Sequence, residues 1–293
     1  MNTTIGFVGL GLMGSGMARN LIEAGFRVIG YDLDPQKVAA FTAAGGQKSE
    51  NPEAMAAQVD VIMLSLPNSH VVNDVVQQTL KLNKTGRKNL ILIDTTTADP
   101  GMSKSLASQL QDKEIAMLDA TVSGTPKMCA EKSITFLVGG DEAVFQQCNA
   151  IFAALADQSF YLGPNGSGAL MKLIVNLVLG LNRMVLAEGL ALGKRAGVDS
   201  AQMLNVLKNS AAYSKAMDMK GHRMTTADFL PAEGKLAFHL KDVRLMLDLG
   251  RHLDFPLPLT SLHAQALTSL ITKGRGDWDN AAIMAFYDDL VQA

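Results

Sequence analysis

Lys172 and Asn176 stand one helical turn apart in the run MKLIVNLVLGL, residues 171–181, and are the polar members of an otherwise apolar stretch. Burying an ammonium group is costly unless it is paired or neutralised, so a lysine in such a run needs an explanation. At ~100° per residue, Lys172, Asn176, Arg183 and Lys194 fall on one side of a helix, which is one way to make a solvated stripe. The other reading is proton transfer. Near Lys172 the polar strip is very narrow, flanked by Leu170, Met171, Leu173, Ile174 and Val175, and Gly180 on the same side leaves room rather than filling it. A partly buried lysine disfavours its charged form and can act as general base or acid near neutral pH.

A second constellation is Gly9-Leu10-Gly11-Leu12-Met13-Gly14, directly after the strand-like run Thr4–Val8 and at the start of a helical pattern. Gly9 suits a tight turn, Gly11 lets backbone approach a pyrophosphate, and Gly14 lets the helix lie close on the sheet. The helix N-terminus then offers free N–H groups to the phosphates. The segment Tyr31-Asp32-Leu33-Asp34-Pro35 ends the next strand. Asp34 precedes a proline at the first helical position and reads as a helix cap. Asp32 is placed to accept hydrogen bonds from an adenosine ribose. A carboxylate there repels a 2′-phosphate and no arginine follows it, so NAD is expected as cofactor in preference to NADP.

These groups need elements to hold them. Six apolar runs read as strands: Thr4–Val8, Arg27–Tyr31, Val59–Ser65, Leu90–Asp94, Ile115–Asp119 and Ile134–Val138. They lack in/out alternation, the pattern of a parallel sheet covered on both faces. Helical patterns lie between them near Met13–Ala24, Pro35–Ala44, Val71–Leu80 and Pro100–Gln111. The alternation predicts an α/β fold, a Rossmann-type doubly wound sheet over residues 1–162. The turn-rich Leu162-Gly163-Pro164-Asn165-Gly166 ends it, and residues 163–293 read as an all-α C-terminal domain for substrate and oligomerisation. One long helix is expected from about 165–167 to Ala196 with Gly197 as its stop, then helices near Ser200–Asn209, Lys235–Leu253, Leu257–Thr272 and Asn280–Val291. The cleft between the two domains is the expected place for chemistry.

The motifs together resemble the β-hydroxyacid dehydrogenases, a family that includes 3-hydroxyisobutyrate dehydrogenase and 2-hydroxy-3-oxopropionate (tartronate semialdehyde) reductase. The resemblance spans nearly the whole chain. It rests on Gly6–Gly14 with Met17–Leu21, on Asp119-Ala120-Thr121-Val122-Ser123-Gly124, on Gly166–Lys172 with Asn176, and on Lys241-Asp242 with Leu245. It implies that Lys172 is the acid–base group and that Asn176 bonds the lysine or the substrate. Ser123, Gly124 and the neighbouring Thr125 line the site for a substrate carboxylate. Leu66, Pro67, Thr95 and Thr96 resemble the family's cofactor loops, and Lys241 its C-terminal cofactor and active-site element. A nearby Lys241 would further disfavour a charged Lys172. The chain departs from the family's Asp-Ala-Pro-Val-Ser-Gly-Gly at Thr121 and Thr125, and again over Met128–Ser133, which bears on substrate identity more than on reaction type.

The expected activity is hydride transfer between NAD(H) and a small 3-hydroxy acid or its semialdehyde. The alternative is an NADPH-linked reductase of tartronate or succinic semialdehyde. A silent binding module would be expected to lose the lysine, which is present. Other features read blandly. A formal net charge of −2 with no basic patch argues against nucleic acid. Cys129 and Cys148 match no metal spacing or disulfide framework, which fits a cytoplasmic setting. No signal peptide is read, and the most apolar window, Ala169–Leu181, is shorter than a membrane span. His70 reads as surface, the other four histidines form no ligand set, and no metal is expected. Apolar runs at Leu186–Leu192 and Pro256–Leu262 suggest burial in a homo-dimer or homo-tetramer.

Overall fold

The computed structural model describes residues 3–82 and 89–292, with side chains described to residue 290. Two compact units make up the chain, Met1–Lys172 and Leu173–Ala293.

The first unit is built on one eight-stranded sheet: β1 (Thr4–Val8), β2 (Arg27–Tyr31), β3 (Gln47–Lys48), β4 (Val61–Leu64), β5 (Ile91–Asp94), β6 (Ala116–Ser123), β7 (Thr135–Gly139) and β8 (Gln158–Tyr161). Their order is 3-2-1-4-5-6-7-8, so the winding direction reverses at β1 and β4. Alternate residues of a strand face opposite layers. Ile5 and Phe7 pack with Met17 and Leu21 of the Leu12–Glu23 helix, whereas Val8, Ile62 and Leu64 pack with Val72, Val76, Leu106 and Leu110 on the other face. The crevice at the carboxyl ends of β1 and β4 is the switch point at which such sheets bind ligands.

Two sequence expectations change. The sheet is mixed, because β7 runs antiparallel to β6 while all the other pairs are parallel. Residues 124–134 join β6 to β7 and hold only the short Pro126–Ala130 helix. A parallel crossover needs a dozen or more residues, so this link can only turn the chain back. The edge strands β3 and β8 carry exposed polar residues and are not legible as strands in the sequence.

The second unit is helical among the described residues. After the long Ser167–Arg195 helix come Ser200–Lys208, Lys215–Thr226, Leu236–His252, Pro258–Leu270 and Met284–Gln292. Gly197 follows the long helix with φ +85°, the left-handed stop expected of it. Leu186, Leu190, Met224, Leu240, Val243 and Leu267 are among the residues of this unit's core. The Lys215–Thr226 helix escapes a hydrophobic pattern because its buried side includes Lys220 and Gly221. Lys220 ion-pairs with the fully buried Asp279 at 2.9 Å, and a Cβ on Gly221 would stand 2.6 Å from Leu204. The Ser167–Arg195 helix is long and apolar enough, by length and composition, to cross a membrane, but it carries the buried cations Lys172 and Arg183.

Candidate active site

The turn after β1 is shaped by its glycines. Gly9 has φ +93°, and a Cβ there would lie 2.3 Å from the Ser65 carbonyl oxygen. A Cβ on Gly14 would lie 1.9 Å from the Gly9 carbonyl oxygen, so the helix can start only with glycine at both places. Gly11 differs: nothing lies within 4 Å of its Cβ position. The protein itself does not require a glycine at that point, and the open space above the turn suits the pyrophosphate of a dinucleotide. Gly11 is also the N-cap of the Leu12–Glu23 helix and makes no side-chain cap, so the first N–H groups of Leu12, Met13 and Gly14 remain to be satisfied.

Asp32 follows the second strand directly, with its side chain 12% exposed. One carboxylate oxygen accepts from the Leu10 N–H at 2.7 Å and the other from the Asp34 N–H at 2.9 Å. The acid therefore braces the glycine turn and keeps further lone pairs able to accept hydrogen bonds. Lys37 stands 3.7 Å from it. Asp34 caps the next helix by accepting from the Gln36 N–H, as expected from Pro35.

The loops after β4 and β5 hold each other. The Leu66 N–H donates to Thr96 Oγ1 at 3.1 Å, and the Thr95 hydroxyl donates to the Leu64 carbonyl at 2.7 Å. Both threonines are buried, while Pro67 is exposed. Asp94, at the end of β5, accepts from the Thr96 N–H at 3.0 Å. Burial pushes its carboxyl up to about 7, against the pull of the Thr96 hydrogen bonds and with a smaller push from Asp119. A cavity of about 180 Å³ opens beside it, where the Ser103 hydroxyl has no hydrogen-bond partner among the described residues.

Strand β6 and the start of the long helix form one assembly. Asp119, 1% exposed, accepts from the Gly166 N–H at 2.7 Å and the Ala169 N–H at 2.9 Å. Burial raises its pKa and these backbone donors oppose the rise. Gly166 has φ +90°, and a Cβ on Gly168 would lie 2.3 Å from the Asp119 carbonyl oxygen. Lys172 follows one turn after Ala169 and is 8% exposed. Ser123 closes the same strand in a half-buried position. Gly124 has φ +158° and no room for a Cβ, which would meet Ile134 at 2.6 Å. Thr125 caps the Pro126–Ala130 helix, its hydroxyl oxygen accepting from the Met128 N–H at 3.3 Å.

In the helical unit, Asn176 donates to Asp242 at 3.0 Å, and Lys241 lies 3.1 Å from the other Asp242 oxygen. That contact is an ion pair without hydrogen-bond geometry. Arg183 is buried rather than part of a solvated stripe; it meets His239 at 3.0 Å, and burial lowers its pKa to about 10. Gly180 does not leave open room. A Cβ there would lie 2.6 Å from His239 and 2.8 Å from His263. His263 is held down at about 4 by burial and by the Arg183 charge. The cluster of Arg183, His239 and His263 is not legible in the sequence, since no local pattern brings these three together. Both cysteines are free and buried, with thiols raised to about 11 at Cys129 and about 12 at Cys148. The described residues contain no cluster of metal ligands.

A glycine turn, an open N-terminus and an aspartate directly after the second strand, at the switch point of a doubly wound sheet, define a dinucleotide-binding protein. Residues 4–163 match the family described as the NAD binding domain of 6-phosphogluconate dehydrogenase, and residues 166–287 match the NAD-binding family of NADP-dependent 3-hydroxyisobutyrate dehydrogenase. The 2-(hydroxymethyl)glutarate dehydrogenase of Eubacterium barkeri is 31% identical over 98% of this chain and 95% of its own. The L-threonate dehydrogenase of Cupriavidus necator is 30% identical over 98% of this chain and 97% of its own. A crystal structure of 3-hydroxyisobutyrate dehydrogenase from Salmonella typhimurium has a TM-score of 0.88 at 28% identity, covering 97% of this chain and 99% of that one. The chain belongs to the β-hydroxyacid dehydrogenase family and is an NAD(P)-dependent dehydrogenase acting on a CH–OH group.

Proposed function

We propose that the protein oxidises a small 3-hydroxy acid of the 3-hydroxyisobutyrate kind, or reduces its semialdehyde, with Lys172 as general acid–base. The observation that carries this reading is the seating of Lys172. It is buried one turn into a helix whose start is fixed by Asp119 to the strand that ends in Ser123. When bound, the nicotinamide supplies the hydride acceptor or donor. In oxidation, neutral Lys172 Nζ takes the hydroxyl proton as the carbon gives up hydride; in reduction, the ammonium returns a proton to the carbonyl oxygen. Ser123 and the Gly124 N–H hold the substrate carboxylate, beside Thr125. Asn176 assists the lysine or the substrate, and its bond to Asp242 supports a fixed amide orientation. Gly9 to Gly14, Asp32, Leu66, Pro67, Thr95, Thr96 and Lys241 hold the cofactor.

NAD is the preferred cofactor because the Asp32 carboxylate faces the place of a 2′-phosphate. One observation favours the NADPH-linked semialdehyde reductase instead: Lys37, 3.7 Å from Asp32 and 3.8 Å from Asp34, is a cation able to meet such a phosphate. A panel of small hydroxy acids and semialdehydes, run with both cofactors, separates the two. Lys172→Ala should keep the fold and cofactor affinity and lose ~10²–10⁴-fold in kcat, the usual share of proton-transfer catalysis. Near-native turnover in that variant would remove Lys172 from the chemistry.

The same proposal includes a homo-dimer or homo-tetramer and a cytoplasmic location. On the long helix, Ile174, Val178, Val185 and Leu192 share one face and are 46–72% exposed, an apolar stripe suited to a second copy. Sedimentation at micromolar concentration should show a species heavier than the 31.2 kDa chain.

A further inference from the structure

We propose that Thr121 is a positioning residue for Lys172, its hydroxyl fixing the turn of helix that carries the lysine. The proposal rests on the acid–base reading of Lys172. Asp119, Thr121 and Ser123 occupy alternate positions of β6 and so line one face, while Ala120 and Val122 enter the core on the other. Each of the first two touches the helix start. Asp119 takes the N–H groups of Gly166 and Ala169. Thr121, with no exposed surface, donates to the Gly168 carbonyl at 3.0 Å, in preference to a longer contact with the Leu137 carbonyl at 3.4 Å.

The choice of acceptor gives the contact its consequence. In a regular α-helix the carbonyl of residue 168 also accepts the N–H of residue 172. A carbonyl oxygen has two lone pairs, so Thr121 and the Lys172 amide share it. Displacement of that oxygen is passed directly to the Lys172 backbone. Two bonds to the single Asp119 carboxylate form a pivot about which the first turn could rock. The Thr121 bond meets the opposite polarity of the backbone, on a carbonyl, and closes that rotation. Gly168 permits the approach, because a Cβ would stand 2.3 Å from the Asp119 carbonyl oxygen and 2.4 Å from that of Leu137. One strand thus sets the separation of the lysine turn from Ser123. Thr121 is also a position at which the sequence departs from the family's pattern, so the device belongs to this chain's own residues.

The test is Thr121→Val, which keeps the side-chain shape and removes the hydroxyl, beside Thr121→Ser, which keeps the hydroxyl. Thr121→Val should lower kcat roughly five- to tenfold, the rate equivalent of one hydrogen bond, and leave the Kd for NADH within about twofold. Thr121→Ser should stay within about twofold of wild type in both. In a Lys172→Ala background, Thr121→Val should cost nothing further, since the group it positions is gone. If Thr121→Val does not fold, the comparison of Thr121→Ala with Thr121→Ser decides the same question. Wild-type kcat without the hydroxyl, or an equal loss in the Lys172→Ala background, overturns the positioning role alone. Near-native turnover of Lys172→Ala by itself overturns the acid–base reading and this proposal with it.

Discussion

Replacing Asp94 by asparagine removes an ionisable group that the fold holds at a cost. The carboxyl is 1% exposed, and burial lifts it from an ordinary 3.8 to about 7. Below about pH 4 it is protonated in both the folded and unfolded chains and affects stability little. Between about pH 4 and 7 the unfolded chain has released this proton and the folded chain has not. The folded state then binds more protons, so stability falls as pH rises, and it levels off above the folded pKa. At 1.36 kcal/mol per pKa unit the ceiling is ~4 kcal/mol. Only the two units between pH 5 and the folded value of about 7 fall between pH 5 and pH 8, a loss of ~2.7 kcal/mol, and the adjoining cavity of about 180 Å³ has room for solvating water, which brings that part nearer ~2 kcal/mol. Asparagine keeps a side-chain oxygen to accept the Thr96 N–H bond, seen at 3.0 Å, and does not titrate. Urea unfolding of both proteins at pH 5 and pH 8 measures the difference. Asp94→Asn should gain on wild type by ~2 kcal/mol more at pH 8 than at pH 5. An equal difference at the two pH values, or a gain at the lower one, would refute the account of Asp94 as a buried carboxyl protonated at the acid side of neutrality.

Gly11→Ala should melt within about 2 °C of wild type, because its Cβ meets nothing, yet bind NADH at least about tenfold more weakly; Gly14→Ala should lose both, with its Cβ 1.9 Å from the Gly9 carbonyl oxygen. Thermal melts and fluorescence titration with NADH report the two effects separately. Asp32→Asn should reduce the ratio of kcat/KM for NAD over NADP by about tenfold, and a wild-type enzyme that favours NADP to begin with would contradict the repulsion argument. The native protein at pH 8 should react with a thiol reagent at neither cysteine and with both after unfolding, since burial lifts the thiols to about 11 and about 12.

What could be read from the sequence is what local backbone geometry demands. A turn with φ +93° and a helix whose Cβ would strike a carbonyl exclude everything but glycine, so Gly9 and Gly14 announce themselves without knowledge of the rest of the chain. The same holds for Asp34 before Pro35 and for Gly197 at φ +85°. What could not be read depends on partners distant in the sequence. Gly180 looks like space beside a polar stripe until His239 and His263 fill it. Arg183 looks solvated, yet it is buried with its guanidinium on His239, and the charges on Asp279 and Asp242 help to keep it protonated. The reversal of β7 is set by the length of one connection, which hydrophobic pattern does not encode. Thr121 is the clearest case. As a sequence departure it bears only on which substrate fits, whereas the fold turns its hydroxyl away from solvent and onto the Gly168 carbonyl, 47 residues along the chain. On the proposed roles of Ser123, Thr121 and Lys172, substrate choice and lysine placement draw on one strand, β6. A change along Asp119, Thr121 and Ser123 made to alter the substrate should also alter kcat through the helix start.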